Sequence, residues 1–108
     1  MKISVLGCGR WGSFIAWYQS AIKGNDVINW GPEGEPSYEV LKNTGRNEYV
    51  ELDGRIKLTC DLEYALKASD IIIISISSQG LRGFMQKIMR YPVRDKVFVL
   101  CMKGIEES

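Results

Sequence analysis

Gly7, Gly9 and Gly12 stand in the spacing G-x-G-x-x-G, filled here as Gly7-Cys8-Gly9-Arg10-Trp11-Gly12. Such spacing carries chemistry only in context. An apolar, β-branched run (Ile3 to Leu6) leads into it and an apolar stretch of helical spacing follows. A strand, a glycine turn and a helix in that order make a dinucleotide site. Gly7 makes the tight turn, Gly9 lets the backbone approach a pyrophosphate, and Gly12 lets the helix pack close to the strand. The helix N-terminus adds unpaired N–H groups and a partial positive charge for the phosphates. Arg10 puts a cation in the same place, either as a phosphate partner or as a solvated residue of the first turn.

Other chemistries find little support. The chain has no histidine, which removes the usual general base and the commonest metal ligand. Ser75, Ser77 and Ser78 can offer hydroxyls at the end of a buried strand, yet no acid or base stands beside them to make a nucleophile. Cys8, Cys60 and Cys101 are odd in number and far apart, so neither a disulfide framework nor a zinc ribbon fits. They read as reduced, small side chains of a cytoplasmic protein. Trp11 either packs against a cofactor or fills space beneath the glycine turn. Trp17 and Trp30 read as packing residues, Met85 and Met89 as one buried helix face, and Lys23, Lys42, Lys67, Lys87 and Lys96 as solvated.

The elements that must position these residues alternate. Strands are expected at Ile3–Leu6, Asp26–Trp30, Ile56–Thr59, Ile71–Ile74 and Val97–Cys101. Between the first two, Trp11, Phe14, Ile15, Tyr18, Ala21 and Ile22 recur at helical spacing, with Gly24 as the C-terminal cap. Gly31–Pro36 is a loop by composition, Ser37–Asn43 a short helix, and residues 44–55 irregular. Asp61 caps a short helix through Leu62, Ala65 and Leu66. Asp70 closes the loop before four consecutive isoleucines, a pattern that suits a strand buried on both faces of a parallel sheet. Leu81, Phe84, Met85, Ile88 and Met89 fall on one helical face that ends before Pro92.

This order predicts an α/β, Rossmann-type doubly wound parallel sheet, with residues 1–108 as one domain. In such sheets ligands bind beyond the carboxyl ends of the strands. Gly7–Gly12, Gly31–Glu35, Ser75–Gln79 and Lys103 would therefore meet along one edge. A net charge of +1 gives no support to nucleic-acid or polybasic membrane binding. The apolar runs are too short to span a bilayer, and no signal peptide is read at the N-terminus.

Five segments in order carry a family resemblance: the opening Ile3 to Gly12, Asn29-Trp30-Gly31, Thr59 to Leu66, Ser78-Gln79-Gly80-Leu81-Arg82, and Met102-Lys103-Gly104-Ile105-Glu106. Across its whole length the chain resembles the N-terminal domain of bacterial-type NAD(P)-dependent glycerol-3-phosphate dehydrogenase. The resemblance implies hydride transfer between NAD(P)H and dihydroxyacetone phosphate, or sn-glycerol 3-phosphate in reverse. It implies that the glycine loop and the residues after the second strand hold the cofactor. Lys103 would lie near the nicotinamide and contact both substrate and cofactor. Relatives continue into a helical domain that carries the acid–base lysine, so no certain catalytic residue is expected in these 108 residues, which alone should bind cofactor with little turnover.

Departures from the family pattern bear on the cofactor. Small residues usually stand at Cys8 and Arg10, and a proline at Ser77. An arginine usually follows Trp30-Gly31, where it can hold the 2′-phosphate of NADPH; here Pro32-Glu33-Gly34-Glu35 follows. Two carboxylates disfavour that phosphate, and Glu33, about 20 residues past the fingerprint, can bind the ribose hydroxyls. NAD is expected over NADP. The expected cofactor-binding set is thus Gly7, Gly9, Arg10, Trp11, Gly12, Gly31, Glu33, Ser77 and Lys103. Two rivals stand beside this reading: a free-standing nucleotide-binding or sensing module, and the N-terminal domain of a related keto-acid reductase. An exposed apolar face, covered by a second domain or by dimerisation, is also expected.

Overall fold

The computed structural model describes residues 1–52, 54–76, 78–93 and 95–101. Its elements are β1 (Lys2–Leu6), α1 (Arg10–Trp17) running on into one π-helical turn (Tyr18–Ile22), β2 (Asp26–Trp30), α2 (Pro36–Thr44), β3 (Lys57–Thr59), α3 (Leu62–Ala68), β4 (Ile71–Ile74), α4 (Ser78–Ile88) and β5 (Val97–Leu100). The five strands form one parallel sheet in the order β3-β2-β1-β4-β5. The order in which strands are added reverses between β1 and β4, which pair in parallel with a register from Ile3↔Ile71 to Leu6↔Ile74. The carboxyl ends of those two strands therefore open a crevice at the topological switch point.

Alternation along each strand divides the core. Leu6, Ile28, Trp30, Ile72 and Ile74 pack with Leu62, Ala65 and Leu66 of α3 and Ile88 of α4. Ile3, Val5, Val27 and Ile73 face the other way, against Ala16 of α1 and Ile56. The isoleucine run is thus buried on both faces, as its composition predicts. Each fully buried isoleucine contributes roughly 1.5–3 kcal/mol. Ser4, wholly buried, donates to the Ala65 carbonyl (2.6 Å) and meets the Ser69 hydroxyl (2.8 Å), tying β1 to α3.

Local chemistry sets the helix ends. The Asp61 carboxylate accepts from the Tyr64 amide (3.1 Å), the expected cap of α3. Glu35 accepts from the Ser37 amide (3.1 Å), so α2 begins one residue before the expected helix, with Pro36 in its first turn and Gly45 in the left-handed region at its end. Gly24 closes the π-helical turn with φ +72°.

The face that α1 buries is a finding beyond the spacing, and two expectations, for Met89 and Lys96, need correction. The large apolar residues of α1 do not form its buried face: Trp11, Phe14, Tyr18 and Ile22 are exposed, and Gly12, Ser13, Ala16 and Ser20 face the sheet. Small side chains bring this helix close to β1, so the bulky ones are left outside. Met89 lies past the end of α4 and is 68% exposed, while Met85 packs on the core as expected. Lys96 is not simply solvated; its ammonium donates to the carbonyls of Ser69 (2.8 Å) and Lys67 (3.3 Å) at the end of α3.

Candidate cofactor site

The glycine turn leaves the end of β1 at the switch point. Gly7 has φ +129°, a conformation that L side chains rarely adopt, and a Cβ there would strike the carbonyl oxygen of Ser75 after β4. A Cβ on Gly12 would strike the carbonyl of Gly7 itself. The first turn of α1 thus sits directly on the loop. Gly9, the residue before α1, is exposed and has open space where a side chain would stand. Closed below and open above, the turn offers the first N–H groups of an eight-residue helix to an approaching anion.

Two neighbours hold the turn. The Gly7 amide donates to the Trp30 carbonyl (2.7 Å), and the Ser75 amide donates to the Leu6 carbonyl (2.9 Å). Asn29, fully buried in β2, donates through Nδ2 to the carbonyls of Gly7 (2.8 Å) and Val5 (3.0 Å). Beyond β2, the buried Gly31 lies where a Cβ would come within 2.8 Å of the Tyr38 Cβ and 2.9 Å of the Cys8 sulfur. Strand end, turn and α2 therefore interlock.

A cavity of about 300 Å³ opens between the turn, α2 and the segment after α2, lined by Cys8, Gly9 and Arg10, by Ser37 and Val40, and by Asn47 and Tyr49 among others. That volume lies at the lower end of what small-molecule sites use. The segment at 44–52, expected to be irregular, is a tied loop. Arg46 and Glu51 form an antiparallel bridge, and the Leu52 amide donates to the Gly45 carbonyl (2.9 Å). Asn47 is its hub: Oδ1 accepts from the amides of Tyr49 (2.8 Å) and Val50 (3.0 Å), while Nδ2 donates to Ser13 Oγ (3.0 Å) on α1. The Arg10 guanidinium lies 5.1 Å from the Tyr49 ring centre and 5.9 Å from that of Trp11. It bridges helix and loop at the cavity mouth.

Charge is mixed here. Glu33 is exposed in the turn before α2, and Glu35 caps the helix. Burial pushes the Cys8 thiol up to about 12, with a further contribution from the negative charge of Glu35. Cys8 is therefore a neutral packing group and not a nucleophile.

The sequence-predicted residues divide as follows. Gly7, Gly9, Arg10, Trp11, Gly12 and Gly31 gather around the carboxyl ends of β1 and β2, with Glu33 at the outer margin. Trp11 is 42% exposed and packs edge-on to Phe14, so it does not fill space beneath the turn. Ser77 and Lys103 lie outside the described residues. Asn29, Asn47 and Tyr49 were not singled out from sequence for any role at the site. For Asn29 a signal existed, since an amide inside an apolar strand must find partners.

A family profile described as the NAD-dependent glycerol-3-phosphate dehydrogenase N-terminus matches residues 2–108. Among curated relatives, a glycerol-3-phosphate dehydrogenase [NAD(P)+] of Carboxydothermus hydrogenoformans is 32% identical over 111 aligned residues, covering 100% of this chain and 33% of the relative. One from Syntrophomonas wolfei is 35% identical and covers 99% of this chain and 32% of the relative. The chain thus spans about a third of the length of the curated relatives it matches. In fold it is similar to the crystal structure of glycerol-3-phosphate dehydrogenase from Coxiella burnetii, with a TM-score of 0.83 at 23% identity over 95% of this chain and 32% of that one.

Proposed function

Because the chain belongs to the NAD-dependent glycerol-3-phosphate dehydrogenase family, as its N-terminal part, we propose that the crevice at the end of β1 binds the dinucleotide used in that reaction. The observation that carries this reading is the stacking of Gly12 on the Gly7 carbonyl with open space at Gly9. Gly7, Gly9 and Gly12 seat the pyrophosphate against the start of α1, with Arg10 as the nearby cation and Trp11 at the rim. Gly31 and Glu33 border the adenosine ribose. The family resemblance assigns Ser77 and Lys103 to the nicotinamide, and Lys103 to the substrate as well, where an ammonium group can neutralise phosphate or polarise a carbonyl. When bound, the nicotinamide supplies or takes the hydride for dihydroxyacetone phosphate and sn-glycerol 3-phosphate. The free thiols of Cys8, Cys60 and Cys101 suit a cytoplasmic location. Among the described residues no helix is long and apolar enough to cross a membrane.

NAD is favoured over NADP. Glu33 and Glu35 follow β2, Glu48 borders the cavity, and the cation beside them, Arg10, is stacked on Tyr49. A 2′-phosphate placed here meets like charge. Titration of the chain with NADH and NADPH, followed by nucleotide fluorescence, tests both levels of the proposal. Tighter NADH binding is expected, with the gap narrowed in a Glu33→Gln, Glu35→Gln variant. Equal or tighter NADPH binding contradicts the preference alone; binding of neither contradicts the site.

A further inference from the structure

Asn29 is a polar side chain with no exposed surface, set in β2 opposite Val5 on the side of the sheet that α1 covers. Both of its hydrogen-bond partners are carbonyl oxygens, so the NH2 half of the amide must face them. Its Oδ1 is buried and has no partner. An amide kept in a core with one end unsatisfied is costly, and an apolar residue of the same size would avoid that cost. What the amide does hold is the Gly7 carbonyl, pulled inward at 2.8 Å. The peptide joining Gly7 to Cys8 is trans, so its N–H points opposite to its C=O. A carbonyl fixed toward β2 therefore aims the Cys8 N–H away from the core, on the side where the turn is open.

We infer that Asn29 is a positioning residue for phosphate recognition: by clamping the Gly7–Cys8 peptide it presents the Cys8 N–H to the pyrophosphate. The inference rests on the dinucleotide reading above. The start of α1 at Gly12 also closes on this carbonyl, so the Gly7 oxygen is held between a hydrogen bond and the helix backbone, and the opposite, N–H edge of the peptide is left to the ligand. A glycine turn without the amide keeps its path but not a fixed orientation of that plane.

Asn29→Leu tests this, because it keeps a branched side chain of four heavy atoms while removing both the donor and the orphan Oδ1. Leucine is larger and leaves the Gly7 carbonyl without its donor, so thermal unfolding should drop by several degrees with the chain still folded. The comparison of ligands separates that loss from a loss of phosphate recognition. NADH and ADP-ribose should bind about tenfold more weakly, as for one lost hydrogen bond to a charged group, while adenosine, which lacks phosphate, should bind unchanged. Asn29→Val, also without a donor and suited to a strand, serves if the leucine variant does not fold. Unchanged NADH affinity in a folded variant overturns the positioning role. Parallel loss of adenosine and NADH also overturns it, since that pattern marks a structural role. Failure of the parent chain to bind NADH removes the dinucleotide reading itself, and this inference with it.

Discussion

Replacing Gly12 with alanine would drive a methyl group onto the carbonyl of Gly7, and neither backbone can yield without moving α1. The expected cost is about 1–3 kcal/mol, typical of overpacking, together with loss of NADH binding; thermal melting and the fluorescence titration would read both. Melting and binding indistinguishable from the parent would mean that the contact is not close in solution. Cys8 makes a second prediction. Burial, then the charge of Glu35, raise its thiol from 9.0 to about 12, so it stays protonated while an unfolded cysteine ionises. Its contribution to stability is full below about pH 9 and is lost as pH rises toward 12. Iodoacetamide at pH 8 should label the exposed Cys60 and leave Cys8, 3% exposed, unmodified; rapid labelling of Cys8 in the folded chain would contradict its assignment as a packing group. At this scale the glycines were legible because their spacing is tied to a single geometry. Asn29 was legible only as an amide in need of partners; which partners it finds depends on the register of β2 against β1.

Helix α1 shows how an element can be recognised from its spacing while the face it buries stays unread. Hydrophobic spacing from Trp11 to Ile22 marked the helix, yet the aromatic stripe points outward and small residues meet the sheet. Size decides the matter: only Gly12, Ser13 and Ala16 permit the close approach that puts the helix start over the turn. The loop at 44–52 was opaque for a different reason, since its order comes from one backbone bridge and from the side-chain bonds of Asn47, which no hydrophobic pattern announces. Asn47 bonds two amides of its own loop and a hydroxyl on α1. In Asn47→Ala the Tyr49 and Val50 amides lose that acceptor to water, at a cost of about 0.5–1.5 kcal/mol. Hydrogen exchange at Tyr49 and Val50 should rise and NADH affinity should fall, because the loop forms one wall of the cavity. Unaltered exchange at both amides would show that the loop is held by other means.

At the scale of the molecule, the order of strands and helices was readable from alternating patterns, and the parallel sheet followed from the doubly buried isoleucines. The pairing that brings β1 beside β4, and so makes the crevice, depends on contacts far apart in sequence. Two apolar faces remain uncovered among the described residues: the α1 stripe of Trp11, Phe14, Tyr18 and Ile22, and the outer strand β5 with Val97, Val99 and Leu100. Contiguous apolar surface of this kind drives association. Sedimentation should show self-association that grows with concentration and weakens in Val99→Lys; a monomer at all concentrations would contradict that expectation. The central claim is narrower, that a dinucleotide lies in the crevice at the end of β1. Amide NMR shifts of the chain titrated with NADH test it most directly. Shifts concentrated at Cys8 through Ser13, Gly31, Ser37 and Asn47 through Tyr49 are predicted. Shifts absent there, or centred instead on the groove between Met89 and Phe98, would contradict it.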